Sequence, residues 1–203
     1  MFAPVSHHRT LVAGGVVSYV PAMGRDEQAL RQTIEFRTGL AIAAAVALAA
    51  TAPLFAMAGS RYRSNGWSAA ALGIPPLAAL IATFGLTGWW IDSIRAWWGP
   101  HRWFNTRSSL WNWLIPFVNL IAPPLEAGLL FQSAGRSERW GKVWAGGWVL
   151  VVFGSVFHIQ EIEGVVNLVS GLVISGLMLW LVISSIRSLR AEWRRQDSFA
   201  ASA

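Results

Sequence analysis

Apolar residues in this chain come in long blocks separated by short polar connectors. Residues 39–58, 75–90, 143–159 and 165–185 contain almost no ionisable group. A hydrocarbon core of ~30 Å needs about 20 helical residues to cross it. Each block matches that length, the second and third by borrowing flanking residues. The fold class this predicts is all-α: an integral membrane helical bundle of four transmembrane helices. A further apolar stretch, WNWLIPFVNLIAPPLEAG at residues 111–128, carries three prolines, Asn112, Asn119 and Glu126. A proline inside a helix removes a donor and costs ~3 kcal/mol. Pro116 alone gives a kink, whereas Pro123 and Pro124 are expected to end a helix near Ile121. The arms on either side, about twelve and about eight residues, are each too short to cross alone. The stretch is read as a proline-broken re-entrant or interfacial helix pair, with a fifth span as the alternative.

The same pattern divides the chain into residues 1–38, 39–187 and 188–203. The first is a cytoplasmic tail with an interfacial helix, the second the transmembrane domain, the third a basic cytoplasmic tail that fades into disorder. Residues 1–22 loosely imitate a signal peptide but are expected to remain as a non-cleaved tail. Asp26 and Glu27 suit the start of a helix, where the dipole favours negative charge. The alanine-rich block after it is expected inside the bundle, because small residues let helices approach closely. Pro75 and Pro76 are placed in the first turn of the second span. Trp89, Trp90, Trp97, Trp98 and Trp103 form a belt suited to a membrane–water interface. The third and fourth blocks are joined by a short link and so should be antiparallel. Gly171 and Ser175 make a small-residue match that Gly147 and Gly154 could face.

Charge decides between four spans and five. The chain is 54% apolar and 13% charged, with a net charge of +6 carried by fifteen Arg and one Lys. Such arginine bias suggests a GC-rich bacterial genome, hence a bacterial plasma membrane. Basic loops stay cytoplasmic. With four spans and both termini inside, only Arg61 and Arg63 of the sixteen basic residues lie outside; with five spans the split is nine to seven. Four spans wins. The basic residues flank apolar blocks, so anionic lipid, not nucleic acid, is the expected partner, beside a membrane protein or a second copy. There is no cysteine, which excludes disulfides and thiolate chemistry.

The order of features resembles a known family. A Trp-ended span with a following Arg (Trp90, Arg95) precedes a Trp pair, Trp111 and Trp113. Then come Pro116, Asn119-Leu120 and Pro123 as Pro-x-x-Asn-Leu-x-x-Pro, with Ser133 closing the second arm and a basic end after it. This resembles the small multi-span membrane proteins, frequent in actinobacteria, grouped as the domain of unknown function 4328 type. The resemblance covers roughly residues 80–195. It implies a membrane protein and supplies no activity. Ala122 before the second proline and Glu126 after it depart from the pattern.

Candidate chemistry is sparse. Trp113, Pro116, Asn119, Pro123 and Glu126 make the candidate polar site. Asn119 and Glu126 could hold a cation, proton or headgroup, since ionisable groups at membrane depth are rarely idle. The simpler reading has Asn119 satisfying freed carbonyls and Glu126 pairing with an Arg or facing water. Asp92 and Arg95, at i and i+3, are an expected ion pair. His158 and Glu161 are a weak metal set, lacking further ligands on their face. Trp140, Trp144 and Trp148 form a stripe read as helix packing. No phosphate loop, nucleophile triad or cofactor box is recognisable, and no cofactor is expected. The expectation is a non-enzymatic accessory or lipid-organising protein, with a small transporter or channel as the alternative.

Overall fold

The computed structural model describes residues 25–61, 66–98, 109–114, 121–156 and 163–202. They form six α-helices: α1 (Arg25–Arg61), α2 (Gly66–Trp98), α3 (Ser109–Leu114), α4 (Ala122–Ser133), α5 (Glu138–Val156) and α6 (Glu163–Ser202). No strand occurs among the described residues. Three helices are long and apolar enough to cross a membrane: Asp26–Ala58, Ala70–Trp98 and Val165–Ser202. The fourth predicted span, 143–159, falls on α5, which is described only to Val156 and does not join those three. Residues 1–22 and their signal-like pattern lie outside the described residues.

α1 is the hub. Its buried positions Ile34, Thr38, Ala41, Ala45, Leu48 and Ala52 recur every three or four residues, the spacing of one helix face. The alanines of that stripe carry the close approach expected of them. Gly171 on α6 meets Ala52 on α1, where an added Cβ would stand 3.1 Å from the Ala52 side chain. The small-residue match therefore serves α1, while Gly147 of α5 faces Leu177. Arg31 bonds Asp197, Glu35 bonds Arg190, and Gly171 lies on Ala52, so α1 and α6 are antiparallel. Thr38 accepts from Trp90 Nε1 at 2.9 Å and Gly73 lies near Ala58, so α2 also runs against α1. Trp140 meets Trp180, and Trp144 Nε1 donates to the Leu177 carbonyl at 2.9 Å. α5 thus runs antiparallel to α6. The end of α2 meets α6 at Trp193, through Trp97, whereas the start of α5 meets α6 at Trp180, thirteen residues earlier.

Three expectations change. The interfacial helix and first span are one unbroken helix from Arg25, because Gly39 alone costs only ~1 kcal/mol in a helix and no proline stands there. Pro75 and Pro76 sit inside α2, well past its start at Gly66, and the helix continues through them. The basic tail is not frayed: α6 runs to Ser202 and packs on α1. Leu189 and Trp193 are buried there, and Arg31 lies 5.3 Å from the ring centroids of both Trp97 and Trp193. Cation–π contact and ion pairing hold those helix ends together.

Pro123 and Pro124 stand at a helix start, and the residues where a helix was expected to end before them lie outside those described. The two prolines occupy the first turn of α4, where their missing N–H groups would have had no partner. α4 closes at Gly135, whose φ of 69° is the left-handed conformation that glycine adopts without strain. There the N–H of Arg136 reaches the Phe131 carbonyl at 2.9 Å and that of Gly135 the Gln132 carbonyl at 3.0 Å, a common way to satisfy a helix end. α5 then folds back against α4 so closely that a Cβ at Gly141 would stand 2.9 Å from Gly128 Cα.

Candidate functional site

α3 is described over Ser109–Leu114. Its place is fixed by what its ends and side chains touch. The Ser109 N–H donates to Asp92 Oδ1 of α2 at 2.6 Å, so a carboxylate meets the helix end whose first donors lack partners. Arg95, one turn beyond Asp92, pairs with it at 3.7 Å and donates from Nη1 to Ser109 Oγ at 3.3 Å.

The Ser109 hydroxyl donates in turn to Glu126 Oε1 of α4 at 3.0 Å. Asn112 Nδ2 donates to the same oxygen at 2.9 Å, and Trp113 Nε1 donates to Oε2 at 2.7 Å. Positions 109, 112 and 113 are spaced i, i+3, i+4 and so share one helix face. All three donors converge on one carboxylate. Glu126 is only 6% exposed, and a carboxylate taken from water is costly unless hydrogen-bonded. Three bonds fill three of its roughly four acceptor positions. Among the described residues no Lys or Arg forms an ion pair with it; the charge of Arg95 reaches it through the Ser109 hydroxyl.

Around this polar knot lies a wall of indoles. Trp113 is fully buried, with ring centroids 6.3 Å from Phe84, 6.2 Å from Trp144 and 5.9 Å from Trp148. Trp144 and Trp148 stack on each other at 5.4 Å. The stripe predicted on α5 is thus helix packing at two of its positions, while Trp140 is half exposed and meets Trp180 edge-on. Tryptophan gives the wall both area and a polar handle, which here is the N–H on Glu126.

Of the predicted site residues, Trp113 and Glu126 come together, and Pro123 is buried one turn before Glu126. Asp92 and Arg95, predicted separately as an ion pair, join the same network. Pro116 and Asn119 lie outside the described residues, as do His158 and Glu161. Glu126 does not face water, and among the described residues it pairs directly with no Arg, the two outcomes of the simpler reading. The residue the sequence did not single out is Ser109. Its signal was present in Ser109-x-x-Asn112-Trp113, three donors on one face opposite a lone glutamate beyond a break.

Chemically the arrangement is a closed latch. Its carboxylate is turned inward onto neutral donors, and it ties α3 to α4 while Asp92 and Arg95 tie α3 to α2. Comparison of the chain with protein-family models, with curated proteins and with solved structures gave no match.

Proposed function

We propose that this chain is a multi-pass protein of the bacterial plasma membrane that works without catalysis, as an accessory or lipid-organising subunit. In this reading α1, α2, α5 and α6 cross the bilayer, both termini are cytoplasmic, and the α3–α4 pair enters and leaves on the cytoplasmic side. The observation that carries it is the occupation of both carboxylate oxygens of Glu126 by Ser109, Asn112 and Trp113. A carboxylate so occupied is a fastener, since a transport site needs coordination left free for its ion. The topology is supported by helix lengths. α5 has nineteen residues, about 28 Å of rise, and it runs beside α6. α4, with twelve residues, reaches about 18 Å, well short of the ~30 Å core. Irregular backbone at membrane depth survives only where protein or water covers it.

Single cysteines introduced at positions 108 and 137 are expected to react with an impermeant thiol reagent from the same, cytoplasmic side. Labelling from opposite faces would remove the re-entrant pair and with it the four-span topology. For function, proteoliposomes of the wild-type protein are expected to pass protons and monovalent cations no faster than protein-free vesicles. A second reading, a small transporter or channel, is favoured by one feature, an ionisable side chain buried beside a helix break. Flux above the empty-vesicle rate that Glu126→Gln abolishes would establish that reading and overturn the first.

A further inference from the structure

Arg37 is set apart from the cations paired within or across the helices. Arg31 pairs with Glu27 and Asp197, Arg95 with Asp92, and Arg190 with Glu35. Arg37 has no carboxylate in ion-pair range among the described residues, and Asp92, the acid whose charge it feels, is held by Arg95 and the Ser109 N–H. Its guanidinium is nevertheless fixed. Its Cζ lies over the Trp89 ring, 3.9 Å from the centroid. Nη1 donates to the Trp89 carbonyl at 3.1 Å and to Ser93 Oγ at 2.6 Å. Those two bonds use the two hydrogens of Nη1. The remaining edge, Nε and Nη2, makes no hydrogen bond among the described residues.

That edge is the pair of donors with which arginine grips a carboxylate or phosphate in two parallel bonds. Its depth also suits a phosphate. From Thr38 to the end of the apolar block at residue 58, α1 has no ionisable residue, so Arg37 is the boundary charge of that span. Beside it Phe36 and Trp89 point outward, 64% and 38% exposed, as aromatic groups do at headgroup level. A partly buried cation with an open fork, stacked on an interfacial tryptophan, lacks only an anion. We propose that Arg37, oriented by Trp89 and Ser93, binds the phosphate of an anionic phospholipid in the groove between α1 and α2. The inference rests on the membrane-embedded reading and gives its lipid-organising form a defined contact. Inorganic phosphate offers the same oxygens, so the test separates the two sources.

Detergent-purified protein is titrated with phosphatidylglycerol and, separately, with phosphatidylcholine of the same chains, and the first bound lipid is counted by native mass spectrometry. The wild type is expected to prefer phosphatidylglycerol by about tenfold. Arg37→Gln is expected to lose the preference, and Ser93→Ala to lose part of it by freeing the guanidinium. Arg37→Lys keeps the charge without the fork; it is expected to lose at least about threefold, and it decides the matter should the glutamine variant fail to fold. Arg187→Gln, an exposed cation on α6, is expected to change nothing. Equal binding of the two lipids by the wild type, or undiminished preference in the Arg37 variants, overturns the proposal. So does displacement of phosphatidylglycerol by millimolar inorganic phosphate, which would make the site one for free anions. Flotation of the variants with phosphatidylcholine vesicles reports membrane insertion separately: variants that float yet keep full preference overturn this site alone.

Discussion

Glu126→Gln is expected to destabilise the folded protein by about 2–4 kcal/mol, more than any surface substitution would. The argument is one of donors and acceptors. Oε1 accepts from Ser109 and Asn112, and Oε2 accepts from Trp113. A glutamine side chain has one oxygen and one NH2 group in those places. With the oxygen toward Ser109 and Asn112, its NH2 meets the indole N–H of Trp113, donor against donor. With the amide turned over, the NH2 meets the Asn112 amide instead. Either way a buried donor loses its partner, which costs about 1–3 kcal/mol, and the surviving bonds lose the strength that an ionised acceptor gave them. Glu126→Leu should cost more, because it leaves all three donors without an acceptor. Glu126→Asp should fall between wild type and glutamine, its shorter arm reaching one of the two groups of donors. The measurement is unfolding in mixed micelles, followed by tryptophan fluorescence. A glutamine variant within ~0.5 kcal/mol of wild type would mean that the carboxyl is not the fastener described.

How much of this could be read from the chain depends on which interactions are local. The long helices were legible because a run of apolar residues announces a span by length and composition alone, and α1, α2 and α6 follow from theirs. The helix boundary at Pro123 was legible for the same reason: a missing N–H and a ring clash act within one turn. Whether those prolines end one helix or begin the next was not, since both outcomes remove the same donors. The site itself depends on contacts between two helices. Asn112, Asn119 and Glu126 stand seven apart and look like one helix face. Yet Asn112 is on α3 and Glu126 on α4, and their side chains meet across the two helices. Nothing local to Glu126 says that its partners lie on α3, thirteen to seventeen positions earlier. The aromatic wall was half legible, as periodicity marked Trp144 and Trp148 as packing residues, while Phe84 and Trp113 reach them from other helices. The Arg37 contact was not legible at all. It requires knowing that Trp89 and Ser93 of α2 stand opposite position 37.

Trp113→Ala is expected to free the α3–α4 pair from the bundle while leaving α1, α2 and α6 assembled. Removing a fully buried tryptophan costs about 3–5 kcal/mol where the surroundings relax only partly, and this one is fully buried. Apolar burial does little to drive helices together in lipid, so packing contacts and hydrogen bonds carry the association. Trp113 supplies both: ring contacts to Phe84, Trp144 and Trp148, and the N–H on Glu126. These contacts fix the described part of α3, Ser109–Leu114, against α2, α4 and α5. The loss should therefore be local. Hydrogen exchange is expected to accelerate at residues 109–114 and in the first turns of α4, with α1 and α6 protected as in the wild type. Trp113→Phe divides the effect. It keeps a ring in the wall and removes the bond to Oε2, so its cost should be close to that of one buried hydrogen bond to a charged group, about 1.5–3 kcal/mol. In the double variant with Glu126→Leu the Phe substitution has no such bond left to break. The two losses should then fall short of additive by at least about 1 kcal/mol. Additive losses, or exchange that rises equally in α1 and α6, would show that Trp113 supports the whole bundle and that the α3–α4 latch is not a separate unit.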